Sequence, residues 1–221
     1  MKYDTVIVGA GSAGSIVAAR LSEDPDHSVL LLEAGPDYPD FEHLPDEVKF
    51  GYATATDIMT SDHNWQFLGK ASDTAPPMLV PRGRVTGGSS AINGQVLLRG
   101  VPEDYDAWAA MGNDQWGFTD VLPYLRKLET DTDIHDAFHG TEGPIPVRRF
   151  KQETWLPAQN AFYAACRSEG HPHDPDMNHP ESGGVGPIPM NNPNGIRMST
   201  SLTFLAAARH RLNVTIKANV L

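Results

Sequence analysis

Thr5-Val6-Ile7-Val8-Gly9-Ala10-Gly11-Ser12-Ala13-Gly14 is the stretch on which the fold turns. Its first four residues are β-branched and uncharged, as suits a parallel strand buried on both faces. The glycines that follow have the spacing GxGxxG, and each has a physical task. Gly9 makes a tight turn, Gly11 lets the backbone approach a pyrophosphate, and Gly14 permits close packing of helix on strand. Ser15 to Ser22 read as a helix with Ile16, Ala19 and Leu21 toward the sheet and its N-terminal amides aimed at the phosphates. A second strand, Ser28 to Leu32, ends in Glu33, at the spacing where a carboxylate accepts the hydroxyls of an adenosine ribose. That carboxylate would repel a 2′-phosphate, which leaves FAD or NAD.

The 221 residues suffice for one large domain, or one domain and part of another. Hydrophobic residues at 40% and charged residues at 20% are ordinary soluble usage, with no low-complexity tract and no tandem repeat. A formal net charge of −11, with Lys and Arg scattered, repels phosphate backbones and anionic headgroups, so neither nucleic acid nor a membrane is expected as a partner. No apolar run approaches membrane-spanning length. Cys166 is the only cysteine, which rules out an intrachain disulfide and reads as a small packed hydrophobe. Met1-Lys2-Tyr3 leads straight into a strand with no signal peptide, so a cytoplasmic location is expected and the sequon Asn213-Val214-Thr215 is chance.

After Glu33, Ala34-Gly35-Pro36 begins a long irregular stretch to about residue 80, the length of a functional loop or lid. It is followed by Pro81-Arg82-Gly83-Arg84-Val85-Thr86-Gly87-Gly88-Ser89-Ser90-Ala91-Ile92-Asn93-Gly94, whose glycines and serines supply backbone amides with little bulk. Ser89 and Ser90 have no histidine and acid nearby in sequence, so they read as backbone donors rather than nucleophiles.

This segment resembles the first signature of the glucose-methanol-choline (GMC) oxidoreductases. The resemblance continues through Arg99-Gly100, Asp104 to Trp108, Gly112-Asn113, Trp116-Gly117, Asp120 to Tyr124, His139 to Pro144 and Gly195 to Ser199. It selects FAD and implies an α/β fold: a Rossmann-like FAD-binding domain with the beginning of a substrate-binding cap domain, incomplete without a C-terminal complement. The expected division is 1–150 for the first part of the FAD-binding domain, with the loop 36–80; 151–200 for the start of the substrate-binding domain; and 201–221 for the return to the FAD-binding domain.

By resemblance, Gly9, Gly11, Ser12, Ala13 and Gly14 hold the pyrophosphate and Glu33 with Ala34 the ribose. Val85, Gly88, Asn93, Gly94, Gln95 and Val96 hold the flavin end. Val220, in an expected strand Asn213 to Leu221, meets the adenine through its backbone. Trp65 either lines the cofactor or packs as a core tryptophan. Some family members attach the flavin through a histidine where this chain has Ile92, so FAD is expected to be non-covalent. Light-driven decarboxylases of the family carry a cysteine where Ala91 stands, which disfavours that activity.

His171 to His179 contains three imidazoles and two carboxylates, yet its prolines impose an extended loop, and no metal site is assigned. Asp131 to Asp136 reads as a solvated loop. The resemblance implies oxidation of an alcohol by hydride transfer to the flavin, with a histidine base beyond Leu221, so no catalytic residue is assigned here. The expected partners are a C-terminal polypeptide or fragment that supplies that base, and a small-molecule alcohol. The alternatives are a hydroxynitrile lyase on the same fold and an inactive flavin-binding fragment.

Overall fold

The structure is a computed structural model that describes residues 2–51 and 57–221. In chain order the elements are β1 (Thr5–Val8), α1 (Ser12–Leu21), β2 (Val29–Leu32), α2 (Asp46–Lys49), β3 (Phe67–Gly69), β4 (Met78–Val80), α3 (Pro102–Ala110), α4 (Phe118–Leu128), β5 (Glu129–Asp131), β6 (Ile145–Val147), α5 (Pro157–Ser168), α6 (Ala206–Ala208) and β7 (Val214–Lys217). They form two compact units, Met1–Gln95 with Asn194–Leu221, and Val96–Pro193. This division by packing breaks at 95/96 and 193/194, whereas the expected domains, drawn by role, break at 150/151 and 200/201. Among the described residues no helix is long and apolar enough to cross a membrane.

The first unit is built on a parallel sheet of order β1-β2-β7, with Val6 opposite Leu30, Val29 opposite Val214 and Leu31 opposite Ile216. Its core joins Ala10, Ala18, Val29, Leu31 and Leu205, with Ile7 and Ile216 against them. Leu205 ends a π-helical turn, Ser201–Leu205, that runs into α6. Helix α1 buries Ser15, Ala18 and Ala19. The expected inward Leu21 is instead partly exposed. Small residues face the sheet because the helix lies very close to it: a Cβ on Gly14 would sit 2.0 Å from the Gly9 carbonyl oxygen.

Strand β1 departs from the expected burial on both faces. Side chains alternate along a strand, so Ile7 enters the core while Val6 and Val8 point the other way, 53% and 85% exposed. No element among the described residues covers that second face. The other strands are also shorter than expected. β2 starts at Val29, and β7 ends at Lys217, where the left-handed Asn219 (φ 56°) turns the chain before Val220.

The loop 36–80 is less irregular than its composition suggests. It contains α2 and the antiparallel hairpin β3–β4, with Phe67 opposite Val80; its residues 52–56 lie outside the described residues. In the second unit, β5 and β6 pair in parallel and bury Ile145 and Val147. Helices α3 and α4 meet through the rings of Tyr105 and Phe118, 6.3 Å apart, and Trp108 of α3 lies edge-on to Trp116, just before α4, at 5.9 Å. Proline at the first position starts α5, where an N–H would be unsatisfied anyway, and left-handed Gly170 (φ 90°) follows its end.

Candidate functional site

The first unit brings two glycine loops together. Gly87 N–H donates to the Ala10 carbonyl at 2.7 Å, and a Cβ on Gly88 would lie 2.6 Å from Gly11 Cα. Gly88 (φ 52°) and Gly87 (φ 92°) are left-handed, which makes the turn that carries this approach. Position Gly9, also left-handed, opens onto empty space: a Cβ there would meet nothing within 4 Å.

Helix α1 begins beside this junction with Ser12 and Ala13 exposed and no side chain capping its N-terminus. The amides of the first turn have no carbonyl partner within the helix, so they offer donors and a positive dipole end to an anion. The arrangement therefore fits a dinucleotide pyrophosphate: a cradle cleared of side chains, lined by backbone donors.

Glu33 ends β2 as expected, but it already has partners. Its Oε2 accepts from Ala10 N–H at 2.8 Å and its Oε1 from Gly35 N–H at 2.9 Å, and the residue is 6% exposed. The carboxylate thus ties the glycine loop to the end of β2. Each oxygen keeps a second lone pair that a ribose hydroxyl can use. Val220 N–H donates to the Glu33 carbonyl at 2.9 Å, which sets the segment after β7 beside the same strand end. Ala34 is half-buried between them.

At the other end of the unit, Val85 is fully buried in a cluster with Val48 and Ala91, so only its backbone is available to a ligand. Ile92 is buried as well. Asn93 and Gly94 are exposed, and a Cβ on Gly94 would meet nothing within 4 Å. Gln95 is fully buried and left-handed (φ 66°). Its N–H donates to Asn93 Oδ1 at 3.0 Å. The Trp65 ring stacks on Phe67 at 5.7 Å, and the Arg84 guanidinium lies 5.4 Å from its centroid. Ser90 Oγ donates to the Gly87 carbonyl at 2.6 Å, and Ser89 Oγ accepts from Gly83 N–H at 3.2 Å, so both serines brace the loop. Val96 belongs to the second unit, where it bridges to Met190.

Two features of this unit escaped the sequence reading. Buried His63 places Nε2 2.8 Å from the Tyr38 hydroxyl and Nδ1 3.0 Å from Glu47 Oε1. Burial, with Glu47 nearby, raises the Tyr38 phenol above its ordinary range. Arg197, noted only as a family landmark, is 2% exposed and donates to backbone carbonyls.

In the second unit Thr132, Asp133, His135 and Asp136 are exposed, as expected of a solvated loop, and the reading is corrected at Asp131. Asp131 is fully buried in β5, because it faces a charged network rather than water. His139, with no exposed surface, places Nδ1 3.0 Å from Glu129 Oε1 and 3.2 Å from Asp131 Oδ2, and Nε2 2.8 Å from Asp176 Oδ2. Arg149 pairs with Asp131 at 2.8 Å and Asp176 at 2.7 Å, and Arg99 with Glu129 at 2.6 Å. Burial pulls His139 down, but its hydrogen bonds to Asp131, Asp176 and Glu129 win and push it up to about 11. Burial likewise works against the Asp131 and Asp176 carboxylates. Hydrogen bonds from His139, joined by Arg149 at Asp131 and the Asn178 amide at Asp176, still hold both below the usual range.

Glu129, Asp131 and His139, or Asp136, Asp176 and His139, are close enough to share a cation. The network is balanced without one: three carboxylates face an imidazolium and two guanidiniums. A divalent ion would have to displace Arg side chains and deprotonate His139. Nearby, a cleft of about 480 Å³ is lined by Asp136, His173, Asp174, His179 and Glu181. Its imidazoles are engaged, His173 with the Tyr163 hydroxyl at 3.1 Å and His179 with Glu181 N–H at 3.1 Å.

The family profile described as GMC oxidoreductase matches residues 3–221. The chain is 39% identical over 214 residues to an oxygen-dependent choline dehydrogenase of Vibrio vulnificus, covering 96% of this chain and 37% of that protein. It superposes on pyridoxine 4-oxidase from Mesorbium loti with a TM-score of 0.85 at 34% identity, covering 99% of this chain and 42% of that one. It superposes equally well, TM-score 0.85 at 27% identity, on an FAD-dependent oxidoreductase from Chaetomium thermophilum, covering 98% of this chain and 38% of that one. The chain thus spans from 37% to 43% of the length of the first curated relatives it matches. A profile matched along nearly the whole sequence, on a fold whose two glycine loops meet at a helix N-terminus, makes this chain a member of the GMC oxidoreductase family.

Proposed function

We propose that the chain supplies the dinucleotide-holding part of an FAD-dependent enzyme that oxidises a small alcohol. The observation that carries this reading is the junction of Gly11 with Gly88 beside the uncapped N-terminus of α1, with Glu33 tied to the same loop. FAD, when bound, accepts the hydride that leaves the alcohol carbon. The first-turn amides of α1 bind the pyrophosphate, Glu33 orients the ribose, and the Asn93–Gln95 loop supports the flavin end. Ile92 has no nucleophilic nitrogen, which supports a non-covalent cofactor. Acid precipitation should then leave yellow FAD in the supernatant.

The hydroxyl proton needs a base, and the buried histidines are poor ones. His139 holds carboxylates at both ring nitrogens, and His63 is flanked by Tyr38 and Glu47. This supports a base from the polypeptide that makes up the rest of the length seen in relatives, and makes that polypeptide a required partner. Choline and pyridoxine, named for two of the relatives, are the first substrates to try. The test is anaerobic mixing of the full-length flavoprotein with a panel of small primary alcohols. Bleaching of the flavin absorbance is the expected result. Cyanohydrin cleavage with no bleaching by any alcohol would replace oxidation with a lyase activity.

A further inference from the structure

Arg197 sits in the first unit with its backbone stapled to α2: its N–H donates to the Lys49 carbonyl at 2.8 Å, and Ile196 bridges to Phe50. Its guanidinium reaches four backbone carbonyls. Nη1 donates to Glu47 at 2.8 Å, Val48 at 2.7 Å and Ala91 at 2.9 Å, and Nε donates to Asn93 at 3.0 Å. Two of these oxygens belong to the short helix α2, near the end where carbonyls run out of helical partners, and two to the loop that carries Asn93 and Gly94. A buried cation satisfied by carbonyls is a rigid seat, since any move of the loop would strip a charged donor of its acceptors.

The grip has a directional consequence. Every peptide bond described is trans, so the N–H of Gly94 points opposite to the Asn93 carbonyl. With that carbonyl turned in to Arg197, the Gly94 N–H is turned away from the guanidinium, and Gly94 itself is exposed. The next residue fixes the other end. Gln95 adopts a left-handed φ of 66° that a non-glycine residue holds at a cost, its N–H bonded to Asn93 Oδ1 and its side chain buried against Gly51. Strain of this kind, held by packing, marks a loop whose conformation is set in advance.

We propose that Arg197 is a positioning residue for the flavin: by holding the Asn93 carbonyl from its seat on α2, it sets the face on which the Gly94 amide meets the isoalloxazine. The inference rests on the FAD reading above, with residues 93–95 at the flavin end.

The test uses the full-length flavoprotein and reads FAD dissociation constant, flavin midpoint potential and thermal midpoint in three variants. Gly94→Ala fits without a clash, so it should keep the thermal midpoint and change FAD affinity or potential. Arg197→Lys keeps the charge but loses the fork that spans both segments. It should bind FAD about tenfold more weakly, about 1.4 kcal/mol, and shift the midpoint potential. Arg211→Lys, which removes a comparable grip on the Ala19 carbonyl and Ser22 Oγ of α1, should lower the thermal midpoint and leave the potential alone. If Gly94→Ala changes neither affinity nor potential, the FAD reading of this loop fails. If Gly94→Ala responds but Arg197→Lys alters only the thermal midpoint, as Arg211→Lys does, the positioning role is wrong. Should Arg197→Lys not fold, Arg197→Gln is read in the same way, and loss of folded protein in both would reduce Arg197 to a residue of the fold alone.

Discussion

Glu33 accepts hydrogen bonds from Ala10 and Gly35 before any ligand is considered, so truncating it to alanine would mix loss of a ribose contact with loss of the loop's anchor. Glu33→Gln keeps the shape but removes the charge and turns an NH2 group toward one backbone donor. The apoprotein should lose about 1.5–3 kcal/mol of stability, the range for hydrogen bonds to a charged group. FAD affinity should fall by about tenfold beyond that, read by flavin titration at a temperature where the variant is folded. The glycines separate more cleanly. A Cβ on Gly14 would collide with Gly9 at 2.0 Å, while one on Gly11 would have Gly88 Cα at 3.8 Å as its nearest neighbour. Gly14→Ala should therefore give little folded protein. Gly11→Ala should melt like the parent and bind FAD poorly, because the added methyl occupies the space cleared for the pyrophosphate. Equal loss of folding in both would remove the distinction between a packing glycine and a binding glycine.

Strands β5 and β6 owe their burial to the charges they bring together. Asp131 on β5 meets Arg149, just past β6, and Arg149 also meets Asp176. A folded-state value near 11 for His139, against an ordinary 6.5, means that the folded protein holds this proton more tightly than the unfolded chain. Its contribution to stability is whole below about 6.5 and is lost as pH rises toward 11. Asp131 and Asp176 are held below their ordinary 3.8, so their contribution is present above that value and lost as pH falls through the lower folded ones. The thermal midpoint should accordingly drop on both the strongly alkaline and the strongly acidic side. His139→Leu leaves three carboxylates facing two guanidiniums and should cost about 3–5 kcal/mol at neutral pH. The same variant should flatten the alkaline limb; an unchanged limb would show that another group governs it.

At the level of the molecule, the second face of the three-stranded sheet is exposed along β1. Val6 and Val8 present apolar surface there, and β1 lies at the sheet edge, a template for pairing with other chains. The 221-residue chain produced alone should self-associate and retain little FAD, whereas the full-length protein should be well behaved. Val6→Thr with Val8→Thr should shift the isolated chain toward monomer in sedimentation velocity. In the full-length protein the same pair should lower stability by about 1–3 kcal/mol, as hydroxyls are buried without partners. A monomeric, flavin-loaded isolated chain that oxidises alcohols would remove the need for the proposed partner.

What the sequence determined by itself is local in origin. The turn at Gly9, the close packing at Gly14, the start of the helix and the acid at the end of β2 each depend on the backbone freedom or side-chain period of a few neighbouring residues, and these were legible with boundaries off by a few positions. The second glycine loop, residues 83–94, could be singled out for the same reason, and its signature pattern carried the family resemblance. Tertiary structure decided what each side chain meets. Asp131 reads as solvated among its neighbours and becomes buried only because Arg149 and His139, brought by other segments, neutralise it. His171 to His179 reads as an extended loop with no metal site, and nothing local in it shows that its Asp176 pairs with Arg149 and His139. Val6 and Val8 look like core because β-branched runs usually are, yet burial of a strand's second face depends on a covering layer that the strand cannot encode. Arg197 gave no local sign of its task, for its four carbonyl partners lie at Glu47, Val48, Ala91 and Asn93, distant in sequence and joined only by the fold.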